Sequence, residues 1–304
     1  MPRRLKRPRR KPSPPFTVGR LIARGARRLK GARVHFGHGT DNAWDEAASL
    51  TLHALGLGQG GGAALYGRRV NRADAARAGE LIGRRIAERV PAPYLTDVAW
   101  FTVLEFAIDA RVLVPRSPLA ELIERGFAPW ADVRRVRRIL DLGTGSGCIA
   151  IAAAKALPTA RVDAVDISAA ALEVARLNVR RHRLARRVRL RRSDHFRALR
   201  KATYDIIVAN PPYVGARELK RLPPEYRHEP RLALAAGARG LDSVAVILRE
   251  ARRHLRKKGL LIVEVGNTEH AVRRAYPHLP FLWLEFARGG GGVFLLTREQ
   301  LVAH

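Results

Sequence analysis

Four consecutive residues, Asn210, Pro211, Pro212 and Tyr213, carry the sharpest chemical signal in this chain. They follow the apolar run Asp205 to Ala209, so the tetrapeptide is expected at the C-terminal end of a buried strand. An amide or aromatic amine is a poor nucleophile because its lone pair is delocalised into a carbonyl or ring, and it gains acidity as a methyl group arrives. A site that alkylates such a nitrogen must supply acceptors. The Asn210 side-chain carbonyl and the Pro211 backbone carbonyl can accept the two N–H bonds and aim the lone pair at a methyl donor. Proline brings no competing N–H and stiffens the loop, while Tyr213 offers a face to the substrate side chain. Asn210, Pro211 and Tyr213 are therefore expected catalytic groups, with Pro212 completing the substrate-binding set. A Pro-Pro turn that merely ends a strand is the plain alternative.

A second group of residues has the chemistry of a nucleoside cofactor site. Asp141, Gly143, Thr144, Gly145, Ser146 and Gly147 follow a predicted strand, Arg138 to Asp141, and open a predicted helix from Cys148 to Leu157. Glycines there let the backbone approach a ligand, and exposed N–H groups at a helix start suit a carboxylate. Asp166 ends the next predicted strand and can accept both ribose hydroxyl protons, or simply cap the helix that follows. Ser193, Asp194, His195 and Phe196 follow the third strand, where Asp194 can hold an adenine amino group and an adjacent ring can stack on its face. With Asn210, these residues are expected to bind S-adenosylmethionine, whose methionine carboxylate would meet the glycine loop. Cys148 lacks a nearby histidine or asparagine signature of a nucleophile. His35 and His38 are spaced like metal ligands, but nothing completes a site, and no metal is expected.

Positioning these groups needs an α/β sheet. Strand signals at 138–141, 161–166, 188–190, 205–209 and 260–265 alternate with helical ones, including 148–157 and 168–182, which predicts a parallel doubly wound arrangement. The last two strands, 281–287 and 293–297, are joined by Arg288 and four glycines, too short for a parallel crossover, so they form an antiparallel hairpin. The expected fold is a Rossmann-like seven-stranded sheet over residues 118–304. It is preceded by a small helical domain at 34–93 and a linking β-hairpin at 94–117, with strands at 100–106 and 112–114. Asn42 and its neighbours offer a cap before Trp44, and Asn71 caps a second helix.

Composition bounds the rest. The chain has 304 residues and a formal charge of +30, with a single cysteine, which excludes an internal disulfide and fits a reducing, cytoplasmic setting. Residues 1–33 hold 13 Lys or Arg and no acid, and are expected to be a disordered basic tail. No apolar run reaches the roughly 18 residues of a spanning helix, so no membrane role is expected. Eight arginines between Arg180 and Arg192 and the basic tail would attract RNA. Because 8 of the 57 basic residues are lysine, leaving 49 arginines, a GC-rich codon supply explains the charge equally well.

These motifs together resemble the N(5)-glutamine methyltransferase family of translation proteins, from about residue 34 to the C-terminus. The resemblance rests on Val112 to Arg116, the Asp141 to Gly147 loop, Asp166, Asn210 to Tyr213 and His228 to Pro230. The branch acting on large-subunit ribosomal protein three looks closer than the release-factor branch, through His38 to Ala47, Pro115 to Pro118, Glu225 to Pro230, Val265 to Asn267 and Trp283 to Phe286. It implies that Gly143 to Gly147, Asp166 and the residues around Asp194 hold the cofactor, and that Asn210 to Tyr213 hold the glutamine amide. Arg116 and Glu229 join the substrate side. The implied partner is that ribosomal protein, free or in an assembly intermediate, so that the activity would support ribosome assembly. Release-factor methylation, N(6)-adenine methylation of nucleic acid and a non-catalytic RNA-binding role in ribosome assembly stay open.

Overall fold

The computed structural model describes residues 16–58, 62 and 64–301, which divide into two compact units, one drawn from 16–36 and 40–95 and the other from 37–39 and 96–301. The first is helical: α1 (Val18–Gly31), α2 (Ala43–Ala54) and α3 (Arg72–Glu88), with a short α4 (Ala92–Thr96) at its end. The Asn42 side chain accepts from the N–H groups of Trp44 and Asp45 at 3.0 Å each, and Asn71 from Asp74 at 2.8 Å, so both expected caps form. The expectation of a disordered tail through residue 33 fails over α1, and residues 1–15 lie outside the described ones. Val18, Leu21, Ile22, Gly25 and Leu29 fall at helical spacing on one buried stripe, while the arginines that dominate the composition occupy the other face. Gly25 lets α1 lie close to α2, since a Cβ there would sit 3.2 Å from that of Ala47. Arg85 is buried in this unit and satisfied by Glu46 Oε1 at 2.8 Å and the His35 carbonyl at 2.7 Å.

The second unit opens with a hairpin, β1 (Val98–Phe101) and β2 (Leu104–Ala107), in the register Val98 to Ala107. The stretch 100–106, expected to be one strand, is instead split between the two strands of this hairpin, because Thr102, at φ 56, reverses the chain there. Val112 and Val114, expected on the second strand, are instead buried in an irregular segment that runs toward the cleft described below.

The seven-stranded sheet comprises β3 (Arg138–Leu142), β4 (Arg161–Asp166), β5 (Val188–Arg192), β6 (Tyr204–Ala209), β7 (Leu255–Glu264), β8 (Leu282–Trp283) and β9 (Val293–Thr297). Its order is β5-β4-β3-β6-β7-β9-β8, with the first five parallel and β9 antiparallel to both β7 and β8. The expected terminal hairpin is therefore present, although β8 is two residues long rather than seven. Helices α5 (Leu119–Glu124), α6 (Cys148–Ala156), α7 (Ala169–Arg181), α8 (Ala216–Leu219), α9 (Arg231–Leu234), α10 (Asp242–His254) and α11 (Glu269–Ala275) complete the unit. Ile247 and Leu248 of α10 pack into one core with Leu140, Ile207 and Leu261 of the sheet. The strand order reverses between β3 and β6, and a crevice at such a switch point opens at the carboxyl ends of the strands. Among the described residues no helix is long and apolar enough to cross a membrane.

Candidate active site

The turn after β3 is built from left-handed backbone. Gly143, Gly145 and Gly147 have φ of 73, 53 and 83, a conformation that side chains with a Cβ seldom adopt. The N–H groups of Gly143 and Thr144 both reach the Val165 carbonyl at 2.9 Å, fastening the loop to β4. A Cβ at Gly145 would meet nothing within 4 Å, and one at Gly143 would meet only the Asn210 carbonyl oxygen at 3.9 Å. The loop thus presents bare backbone to a cleft and lies against the start of the tetrapeptide. Thr144 and Ser146 line that cleft, whereas Gly147 sits beneath it against Ala175.

Asp141 does not line the cleft. It is fully buried, and its Oδ2 accepts from Thr144 Oγ1 at 2.6 Å and from the Ala150 N–H at 3.1 Å, so it ties the loop to the first turn of α6. Burial pushes its carboxyl up to about 7, against the pull of the Thr144 bond. Asp166 does face the cleft. Its oxygens accept from Gly145 N–H at 2.9 Å and Ser168 N–H at 2.8 Å, which fixes the carboxylate and leaves each oxygen further lone pairs for a ligand's hydroxyl groups. Burial raises its carboxyl above the usual range.

Asp194 and His195 also line the cleft, with His195 Nδ1 2.8 Å from Asp194 Oδ1 and His195 itself at φ 46. Phe196 corrects the expectation that it belongs to the cofactor site. It is 2% exposed, lies in the core beneath the sheet and stacks on His254 with ring centroids 4.7 Å apart, so its face is already covered. Ile167 is a cleft residue that sequence reasoning missed. Cys148 lines the cleft too, but burial pushes its thiol up to about 12, far from a thiolate nucleophile. Among the described residues there is no group of three or more metal-ligating side chains.

Asn210, Pro211 and Pro212 leave β6 along the opposite wall of the same cleft. Tyr213 is turned behind it. Its hydroxyl donates to Glu264 Oε1 at 3.4 Å, and Ser117 donates to Glu264 Oε2, so one buried carboxyl at the end of β7 joins the tetrapeptide to the facing wall. Burial pushes Glu264 up to about 7 and holds the Tyr213 phenol well above its ordinary value. Two left-handed glycines make room: a Cβ at Gly266 would come within 2.7 Å of the Tyr213 ring, and one at Gly240 within 2.3 Å of the Tyr213 carbonyl oxygen. Sequence reasoning missed Glu264 and Gly240, and gave Ser117 and Gly266 no role beyond their place in the segments that carry the resemblance.

Arg116 lines the cleft and forms a two-pronged ion pair with Glu229, each prong 2.6 Å long. Glu229 also accepts from the Val114 N–H at 3.2 Å, and His38 Nε2 lies 3.6 Å from its other oxygen. Burial alone would raise this carboxyl, yet the two bonds from Arg116 and the neighbouring His38 ring hold it at about 2. Tyr226 packs its ring 5.3 Å beneath the Arg116 guanidinium and 4.6 Å from the His38 ring. Glu229 does not itself reach the cleft, so the structure places it as the anchor of Arg116. Pro230, Leu232, Ala233 and Ala235 add an apolar side that sequence reasoning did not foresee beyond Pro230.

Comparison with known proteins agrees with this construction. The Methyltransferase small domain family model matches residues 127–222, the stretch that carries the glycine loop and the tetrapeptide. A ribosomal protein uL3 glutamine methyltransferase from Bordetella pertussis is 49% identical over 286 residues, covering 94% of this chain and 96% of that protein. Another, from Xanthomonas campestris pv. campestris, is 50% identical over 288 residues, covering 95% and 93%. The hMettl16 catalytic domain, solved in complex with MAT2A 3'UTR hairpin 6, shares the fold at a TM-score of 0.50 and 18% identity, covering 77% of this chain and 84% of that one. Identity near one half along almost the whole length, on a sheet that assembles the tetrapeptide and the glycine loop around one cleft, means that the chain belongs to the ribosomal protein uL3 glutamine methyltransferase family.

Proposed function

We propose that this protein transfers a methyl group from S-adenosylmethionine to the side-chain amide nitrogen of a glutamine in ribosomal protein uL3. The observation that carries the reading is the placement of Asn210 and its prolines on the same cleft as Gly143, Gly145, Asp166 and Asp194. The donor set fits the cofactor: open glycine backbone for its carboxylate end, Asp166 for ribose hydroxyls and Asp194 for the adenine amino group. S-adenosylmethionine, when bound, supplies an electrophilic methyl on a sulfonium centre.

The protein's own work is positioning. The Asn210 side-chain carbonyl and the Pro211 carbonyl accept the two amide N–H bonds of the substrate glutamine, drawing the nitrogen out of conjugation and orienting its lone pair. Tyr213, held by Glu264, braces the loop from behind, and Arg116, held by Glu229, closes the facing wall. The apolar side at Leu232 and Ala233 accepts the glutamine's methylene groups and excludes water. No strong base is needed to begin, because acidity develops at the nitrogen only as the methyl arrives.

The test is transfer of radiolabelled methyl to purified uL3, to a peptide-chain release factor and to adenine-containing RNA, using wild type and Asn210→Ala. Label is expected on a uL3 glutamine. The variant should lose roughly 10²- to 10³-fold in turnover while keeping its cofactor affinity, the scale of removing one positioned acceptor or donor. Label found only in RNA or only in the release factor would sink the reading.

A further inference from the structure

The cleft occupies the carboxyl ends of the parallel strands, and a second recess lies at their opposite ends. It is lined by Arg138, Arg161, Arg186, Arg187 and Arg189 around the starts of β3, β4 and β5. The connection between β5 and β6, residues 193–203, forms turns and no helix, so no helix from that crossover covers this corner of the sheet, and β5 is its edge strand.

These arginines divide by what they touch. Arg138 is engaged by Asp163 at 3.2 Å and stacks on Tyr204 at 5.1 Å, while Arg187 donates to the carbonyls of Ala154, Leu157 and Ala160 beyond and within the last turn of α6. Both are structural. Arg161, Arg186 and Arg189 are exposed, and no carboxylate among the described residues pairs with them. The one acid in the recess, Asp163, is already committed to Arg138 and to the Tyr204 hydroxyl at 2.9 Å. Arg161 stands beside Arg138 in register and Arg189 beside Asp163, so the backbone places Arg161 and Arg189 near the starts of neighbouring strands, whose axes lie about 5 Å apart, with Arg186 in the turn that leads into β5.

From this geometry we propose that the recess docks the phosphate backbone of RNA. Arginine's planar fork suits bidentate contact with phosphodiester oxygens, and a row of uncompensated charges along strand starts suits a linear polyanion better than one small ion. A recess around strand starts also fits a chain-like ligand better than a bilayer plane. The site is separated from the cleft by the length of β4, roughly 20 Å for six residues. Its occupant is therefore neither the methyl donor nor the reacting side chain. It would hold the enzyme against RNA that accompanies the protein substrate.

The experiment uses the full-length protein and a short fluorescein-labelled single-stranded oligoribonucleotide, with anisotropy titrations between about 50 mM and 200 mM salt. The triple variant Arg161→Ser, Arg186→Ser, Arg189→Ser is compared with a charge-matched control, Arg24→Ser, Arg27→Ser, Arg68→Ser, drawn from exposed positions of the helical unit. The recess variant should lose about 10-fold or more in affinity at the lower salt, and its salt slope should fall by about 2, that is about 0.7 for each of three phosphate contacts. The control should lose far less, and methyl transfer to free uL3 should be unchanged in both. Equal losses in the two triples, or binding of phosphatidylserine vesicles with no RNA binding, would overturn the proposal. If the triple variant melts early, Arg189→Ser alone carries the same test on an exposed edge strand, with a slope change of about 0.7.

Discussion

Replacing Glu229 by glutamine tests whether the buried ion pair holds the cleft wall. The wild-type carboxylate sits at about 2 rather than its ordinary 4.5, in a side chain with no exposure and two 2.6 Å bonds to Arg116. The difference of about 2.5, at about 1.4 kcal/mol for each, corresponds to roughly 3 kcal/mol of native-state stabilisation. Breaking one partner of a buried pair costs the same order, about 3–5 kcal/mol. For a unit of this size that is a fall in Tm of about 6–12 °C. The sign with pH is fixed by the lowered carboxyl. The stabilisation is complete above about 4.5 and is lost as pH falls toward 2, so about 1.4 kcal/mol of the gap between wild type and Glu229→Gln should close by about pH 3.5. Urea melts of both proteins at pH 7 and at about 3.5 measure it, since every other titrating group is shared. Methyl transfer to uL3 should drop about 10- to 100-fold at pH 7, because Arg116 and the Val114 backbone lose their common anchor while the glycine loop is untouched. Equal melting at pH 7, or a gap that does not narrow in acid, would refute the reasoning.

Two further perturbations probe the brace behind the tetrapeptide. Gly266→Ala places a Cβ 2.7 Å from the Tyr213 ring at φ 46, and should cost about 1–3 kcal/mol in urea melts and depress turnover; Gly31→Ala, with nothing within 4 Å, should be neutral or slightly stabilising. A disturbed melt for Gly31→Ala and none for Gly266→Ala would invert the argument. Glu264, raised from 4.5 to about 7 by burial, favours the folded state fully only below about 4.5 and loses that contribution as pH rises through 7. Glu264→Gln should therefore flatten the stability profile between about pH 4.5 and 7, by up to about 3 kcal/mol relative to wild type. A difference curve independent of pH would show that the carboxyl does not titrate in that range.

The elements that carry the cleft were legible because each chemical motif is local. A β-strand of apolar residues followed within a few positions by Gly143 to Gly147, by Asp166 or by Asn210 announces a strand end, and seven such strands with a tight last connection admit few sheet orders. What stayed hidden is non-local or masked. Ser117 and Glu264 are 147 positions apart, and nothing in either neighbourhood reports the other. Arg116 and Glu229, 113 apart, came into view only through family resemblance. The helix over Val18 to Gly31 was obscured because its arginines dominate the composition, although the apolar stripe had helical spacing. Phe196 shows the converse error: an aromatic beside a cofactor aspartate invites a stacking role, but the turn that follows β5 buries its ring in the core against His254.

The two ends of the sheet differ in legibility for a physical reason. At the carboxyl ends the chain must turn sharply beside a ligand, so glycine, proline, aspartate and asparagine appear at fixed offsets and stand out against any background. At the amino ends nothing needs to turn around a ligand, and a docking surface would be written only in arginine, in a chain where 49 of 57 basic residues are arginine. Composition alone cannot separate codon supply from selection for charge. Pairing can: Arg138 and Arg187 are consumed by Asp163 and by the carbonyls near the end of α6, whereas Arg161, Arg186 and Arg189 meet no carboxylate while lining one recess. Charges scattered by codon bias would be as replaceable there as on the helical unit, and that equality is what the two triple variants measure.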